Sequence, residues 1–172
     1  MPVAPEQETR ERISEYIRTN PGLHLRGIVR RMSLSVGVVE YHVHRLLRAG
    51  RIAFVSFGSK KMYYSPGRLN ERDINLIVTL RDRVTRSIVL QLISRPGLRF
   101  TDMLADLGTS KSTLSFHLNR LVRAEILDQD VVGREKFFWV ADPEYVTRTL
   151  VSFHETFVDD AVDRFIETWT GL

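Results

Sequence analysis

The sequence predicts a mainly α-helical chain with small β-hairpins, an α+β class in which one structural unit is used twice and a long helix follows. Three observations carry that prediction. First, a single offset of 75 residues aligns the chain with itself from Pro21 to Tyr64 without a gap, and eleven of the 44 aligned pairs are identical. Most of the other pairs keep apolar character, such as Ile28 with Met103, Val39 with Leu114 and Tyr64 with Trp139. Second, apolar residues inside each copy recur first at helical spacing and then in short β-rich runs. Third, Asp142-Pro143-Glu144 is a helix start: an N-cap, a proline at the first helical position and an acid near the positive dipole end.

Each copy opens with a helix marked by Ile13 and Ile17, or by Ile88, Leu92 and Ile93, and a Pro-Gly pair (Pro21-Gly22, Pro96-Gly97) forces a turn. A short helix follows (Leu25, Ile28, Val29, Met32; Phe100, Met103, Leu104, Leu107), with Thr101 expected as its N-cap in the second copy. Gly108 suits the left-handed stop beyond that helix, where the first copy has Ser33. Ser35 and Ser110 then cap a third helix that buries Val39, Val43 and Leu46, or Leu114, Leu118 and Leu121. Two helices joined this closely must cross steeply, as in a helix-turn-helix. The runs Ile52–Phe57 with Met62–Tyr64, and Leu127–Val132 with Phe137–Val140, form hairpins turned at Gly58 and Gly133. Between the copies, Asn70 to Leu80 reads as a packed linker helix.

Helix, helix, turn, helix, hairpin is a winged helix-turn-helix. In the second copy the string LGTSKSTLSFHLNRLVRAEIL resembles the recognition segment of ArsR- and MarR-type regulators, and the duplication resembles archaeal regulators that carry two such domains. The resemblance covers about residues 9 to 142. It implies a non-enzymatic, DNA-binding transcriptional regulator located in the cytoplasm with the nucleoid. The first copy departs from the pattern, with Val36, Gly37 and Glu40 where the second has Lys111, Ser112 and Ser115. The expected boundaries are a winged helix over 9–67, a linker over 68–82, a second winged helix over 83–142 and a dimerisation helix over 143–170.

With Leu114, Leu118, Leu121 and Val122 turned inward, the third helix of the second copy leaves Lys111, Ser112, Thr113, Ser115, Phe116 and Asn119 outward, on the end that enters a major groove. Asn119 suits bidentate pairing with adenine, and hydroxyls suit phosphates or base edges. With Ser110, Arg120 and the wing residues Arg134 and Lys136, these are the expected DNA contacts of that copy. Two readings of Phe116 stand: it covers a thymine methyl, or it packs beneath the wing. The first copy offers Ser35, Tyr41, His44, Arg45, Lys60 and Lys61, which is charge with little hydrogen-bonding code. Phosphate gripping by the first copy and base reading by the second is one division of labour; the reverse is another, because Asp102, Asp106, Glu125, Asp128, Asp130 and Glu135 make the second copy acidic.

Net charge hides this asymmetry. The 172 residues hold 25 Lys+Arg and 21 Asp+Glu, but residues 1–100 carry 18 against 8 and residues 101–172 carry 7 against 13. The absence of cysteine excludes disulfides, thiolate metal sites and Cys nucleophiles. No apolar stretch approaches the ~18–20 residues of a membrane span, and the first residues lack a signal-peptide core, so no membrane partner is expected. No phosphate-cradling glycine loop, nucleophile elbow or HExxH string occurs, so no catalytic residues and no cofactor are expected. His42 and His117 recur at equivalent places and read as structural imidazoles held by backbone hydrogen bonds. His154 among Glu155, Asp159, Asp160 and Asp163 reads as a solvated face rather than a metal site.

The last helix is expected to run from Pro143 to Trp169, about 40 Å at about 1.5 Å per residue. Its stripe of Val146, Leu150, Phe153, Phe157, Phe165 and Trp169 needs a cover, and a second copy of the chain is the expected one. The partners read from the sequence are thus double-stranded DNA and the chain itself as a homodimer; an effector, if there is one, has no residue signature. A protein-interaction scaffold built of tandem winged helices is the alternative reading, and Val36 and Glu40 partly fit it.

Overall fold

In the computed structural model, which describes residues 5–154 and Phe157, the chain forms two compact units, residues 1–78 and 79–172. Unit 1 begins with α1 (Pro5–Thr19), turns through Pro21-Gly22 into β1 (Leu23–His24), and continues with α2 (Leu25–Met32) and α3 (Val36–Arg48). Its wing is β2 (Ala53–Phe57) and β3 (Lys60–Tyr64), followed by α4 (Glu71–Leu80), within which the units divide. Unit 2 repeats the order with α5 (Arg83–Ser94), β4 (Leu98–Arg99), α6 (Phe100–Leu107), α7 (Lys111–Arg123), β5 (Leu127–Val132) and β6 (Glu135–Val140), and adds α8 (Pro143–Ser152). Both units are winged helix-turn-helix folds of the α+β class.

The sequence patterns account for most of this. In unit 1, Ile13 and Ile17 of α1, Ile28 of α2, and Val39, Val43 and Leu46 of α3 share one core with Ile52 and Tyr63. In unit 2, Ile88, Leu92, Met103, Leu114 and Leu121 are fully buried at the corresponding positions. Ser35 and Ser110 cap α3 and α7, accepting from the Val38 and Thr113 amides at 3.4 and 3.1 Å. In α4, Asn70 and Asp73 satisfy each other's amides at 2.8 and 3.1 Å, and Ile74 and Val78 pack with Met62 of the wing.

Three features differ from expectation. Each sheet has a third strand, because β1 pairs antiparallel with β3 (Leu23 opposite Tyr63) and β4 with β6 (Leu98 opposite Phe138). Thr101 is not a cap but lies inside α6, whose N-cap is Arg99; the Asp102 carboxylate accepts from the Arg99 amide at 3.3 Å. In unit 1 the same place is held by His24, whose Nδ1 accepts from the Gly27 amide at 2.9 Å.

The third difference is at the C-terminal end. Of the helix predicted from Pro143 to Trp169, α8 covers Pro143–Ser152, a length of about 15 Å, and Phe153 is its C-cap; residues 155–156 and 158–169 of that prediction lie outside the described residues. Phe157, whose amide donates to the His154 carbonyl at 2.9 Å, lies near the guanidinium groups of Arg81 and Arg86, 5.9 and 5.7 Å from its ring centre. Val146, Leu150 and Phe157 are buried in the single chain, and Phe153 is half-buried. Phe165 and Trp169, like Glu155, Asp159, Asp160 and Asp163, lie outside the described residues.

The two copies also trade their left-handed positions. After the second helix, Ser33 (φ 54°) stands where unit 2 has Gly108 (φ 58°); after the third, Glu125 (φ 55°) stands where unit 1 has Gly50 (φ 65°). Each unit thus holds one side chain in the region that favours glycine.

Candidate nucleic-acid interface

On α7 the first turn is closed by hydroxyls. Ser110 Oγ lies 2.9 Å from Ser112 Oγ and 2.8 Å from Thr113 Oγ1, so these groups are ordered before any ligand arrives. Lys111, Ser112, Phe116 and Asn119 are exposed, with Thr113 and Ser115 half-buried beside them. Asn119 donates weakly to Ser115 Oγ at 3.4 Å. Phe116 is 61% exposed and stands edge-on to His117, with ring centres 5.3 Å apart.

Arg120 is placed differently from the other expected contacts. Its Nε and Nη2 atoms are shielded from solvent, burial lowers its pKa, and the nearby Asp82 carboxylate works in the opposite direction. It belongs to the interior polar group of unit 2 rather than to the outward face. On the wing, Arg134 and Lys136 are exposed, but between them Glu135 accepts from Arg99 at 3.2 Å. Arg99 also pairs with Asp102, and Arg95 pairs with Asp106, so this side of unit 2 is largely self-neutralised.

Unit 1 presents another surface. Arg45 donates to the Tyr41 hydroxyl at 2.9 Å, and that hydroxyl donates to Glu6 of α1 at 3.0 Å, which fixes Tyr41 against the first helix. The sequence gives no signal for Glu6, which is 35 residues away from Tyr41. Val36, Val38 and Tyr41 are 50%, 40% and 48% exposed, an unusual apolar share for an outward helix face. His44 is exposed beside them. Elsewhere in unit 1, Arg26, Arg30, Arg31, Arg48 and Lys60 are exposed with no carboxylate partner among the described residues. Lys61 extends over the Phe54 ring at 4.6 Å.

The paired histidines are both buried, but they are not held by backbone hydrogen bonds as expected. His117 Nδ1 lies 2.9 Å from the buried Thr85 hydroxyl and 3.5 Å from Asp82, which also caps α5 through the Thr85 amide at 2.9 Å. Burial pushes the Asp82 pKa up, yet the Thr85 amide and hydroxyl, with His117 and Arg120, bring it below its usual value. His42 Nδ1 has no hydrogen-bond partner; burial lowers its pKa against the pull of Glu6. At the positions equivalent to Asp82 and Thr85, unit 1 has Gln7 and Arg10. Among the described residues there is no group of three or more His, Asp or Glu side chains able to hold a metal, and no helix long and apolar enough to cross a membrane.

Comparison with known proteins adds to this geometry. Residues 7–75 match a family described as an N-terminal HTH domain, and residues 80–130 match one described as a helix-turn-helix domain. A protein of Methanocaldococcus jannaschii described as an uncharacterized HTH-type transcriptional regulator is 26% identical over 148 residues, covering 86% of this chain. The chain spans about a third (36%) of that relative's length. Among solved structures, a chain of the endosomal ESCRT-II complex (VPS22/VPS25/VPS36) is similar at 17% identity, with a TM-score of 0.31 over 83% of this chain and 64% of that one. The DIP2311 protein of Corynebacterium diphtheriae is similar at 17% identity, with a TM-score of 0.32 over 80% of this chain and 27% of that one.

Proposed function

We propose that this chain is a sequence-specific regulator of transcription that binds double-stranded DNA as a homodimer, in the cytoplasm on the nucleoid. The observation that carries the reading is the outward face of α7. Lys111, Ser112 and Asn119 stand exposed on the helix that a winged fold offers to the major groove, with Arg134 and Lys136 on the wing. Both HTH matches and the archaeal relative named as a regulator support it. The ArsR/MarR-like subtype rests on the α7 string, and the two winged helices act as separate DNA-contacting modules. Unit 1, with its unpaired arginines and Lys60, supplies phosphate contacts, while α7 reads bases.

Pairing of two chains falls to Phe153 and to Val162, Phe165 and Trp169, which recur at helical spacing in the sequence, because Val146, Leu150 and Phe157 are already covered. Selection of bound duplexes from a random DNA pool by the full chain tests the reading. It predicts enrichment of an inverted repeat and a log–log salt slope of roughly −4 to −5 if about five phosphates are neutralised. A flat salt titration or an unenriched pool overturns it. Sedimentation of the intact chain as a monomer overturns the homodimer.

A further inference from the structure

The outward face of α3 carries a feature that phosphate gripping does not use. Its first turn is Val36-Gly37-Val38, where α7 has Lys111-Ser112-Thr113, and both valines are exposed although unit 1 has a complete core without them. A Cβ built on Gly37 would meet nothing within 4 Å, so the turn is open toward solvent and its backbone is bare. Exposed β-branched side chains in a helix's first turn do little for the helix itself. Such a surface needs an apolar partner that also carries negative charge, since Arg45 and Arg48 are exposed on the same helix and unit 1 holds the exposed Arg26, Arg30 and Lys60.

Duplex DNA supplies that combination. Its major groove displays one apolar group, the C5 methyl of thymine, between two rows of phosphates. We infer that Val36 and Val38 read thymine methyl groups in the major groove, so that unit 1 contributes sequence preference through apolar contact rather than hydrogen bonds. The bare backbone at Gly37 lets the helix end approach the base edges closely. Glu40, one turn on, can accept only from base-edge amino groups such as cytosine N4, and it repels phosphates, which confines close approach to the first turn. The inference rests on the DNA-binding reading above and names the base chemistry that this unit recognises.

The test starts from a duplex selected by the full chain and remakes it with deoxyuridine at every thymine, which removes the methyl groups and leaves pairing and charge intact. A buried methyl of about 0.8 kcal/mol corresponds to about fourfold in affinity, so two contacts predict at least about tenfold weaker binding of the uracil duplex. The Val36→Ser/Val38→Ser chain should bind both duplexes within about twofold of each other, because both positions are exposed and serine suits a first helical turn. Phe116→Ser, in unit 2, should keep the thymine preference. Tight DNA binding by the original chain without thymine preference overturns the inference and leaves the DNA-binding reading standing; this is the outcome expected if the valines dock a protein instead. A preference that survives the double substitution, or that disappears with Phe116, also overturns it. Failure to select any duplex overturns both.

Discussion

His42 and His117 occupy the same place in two copies of one fold, yet only one of them is partnered through Nδ1. In unit 2 the imidazole meets Thr85 and Asp82, and Asp82 in turn caps α5 and faces Arg120. In unit 1 the supporting positions are Gln7 and Arg10, and His42 Nδ1 is left without a partner. The comparison separates what the fold requires from what the neighbours decide. An aromatic-sized group on the buried side of the third helix suits both units; its hydrogen bonding depends on residues 32 or more positions earlier in the chain. The same contrast runs through the surfaces: the outward face of α7 is polar in a unit that pairs Arg95 and Arg99 with carboxylates, while the first turn of α3 is apolar in a unit with unpaired cations.

Three pairs of substitutions sharpen or break this contrast. The largest effect is expected at Asn119. Asn119→Ala should cost about 1–3 kcal/mol of discrimination between selected and mismatched duplexes, whereas His44→Ala, its counterpart, should weaken all duplexes about equally. Competition binding measures both, and the opposite pattern would reverse the division between the units.

Next in size are the histidines. His117→Leu should cost about 1–2 kcal/mol in urea unfolding because it leaves Asp82 and Thr85 short of a partner, while His42→Leu should be within about 0.5 kcal/mol of the original or better. His42 also bears on stability in acid. A histidine whose pKa is lowered by folding contributes stability that is full above its unfolded value, about 6.5, and is lost as pH falls through that value toward the folded one. His42→Leu should therefore flatten the decline of stability below pH 6.5. Some decline should remain from His24, whose pKa is lowered by burial and by Lys60. An unchanged pH profile would show that His42 is not a source of it.

The smallest effect concerns the traded left-handed positions. Glu125→Gly should raise stability by about 0.5–1 kcal/mol, and Ser33→Gly by a similar or smaller amount, since relief of the strained conformation outweighs the added freedom of the unfolded chain. Thermal unfolding resolves gains of this size. A loss in either case would mean that the side chain makes a contact worth more than the strain.

Much of the fold was legible because the signals were local. Helical spacing of Ile13, Ile17, Val39 and Val43, the caps Ser35, Ser110 and Asp142, and glycine at 108 and 133 each act within a few residues of chain. What escaped was what depends on distant partners. A two-residue strand such as Leu23–His24 has no alternation to read and exists only through its pairing with Met62 and Tyr63. Arg120 looks like any surface arginine until Asp82 is brought to it, and Phe157 continues a helical stripe on paper but takes a place beside Arg81 and Arg86 in the folded unit. Of the expected DNA contacts, the exposed face of α7 was readable from periodicity, whereas the tie of Tyr41 and Arg45 to Glu6 was not.

The short strand at Leu23 also bears on how the chain is made. Its pairing with Tyr63 closes a loop of about 40 residues, so the sheet of unit 1 cannot be completed until the wing has been synthesised and released from the ribosome. Before that moment α1, α2 and α3 have mainly helix-to-helix contacts to hold them. Once Tyr64 has emerged, every strand of that sheet is available while β5 and β6 of unit 2 are still to be added. Vectorial synthesis therefore lets the first copy close its own sheet before its near-duplicate exists, which keeps two segments of matching pattern from exchanging strands.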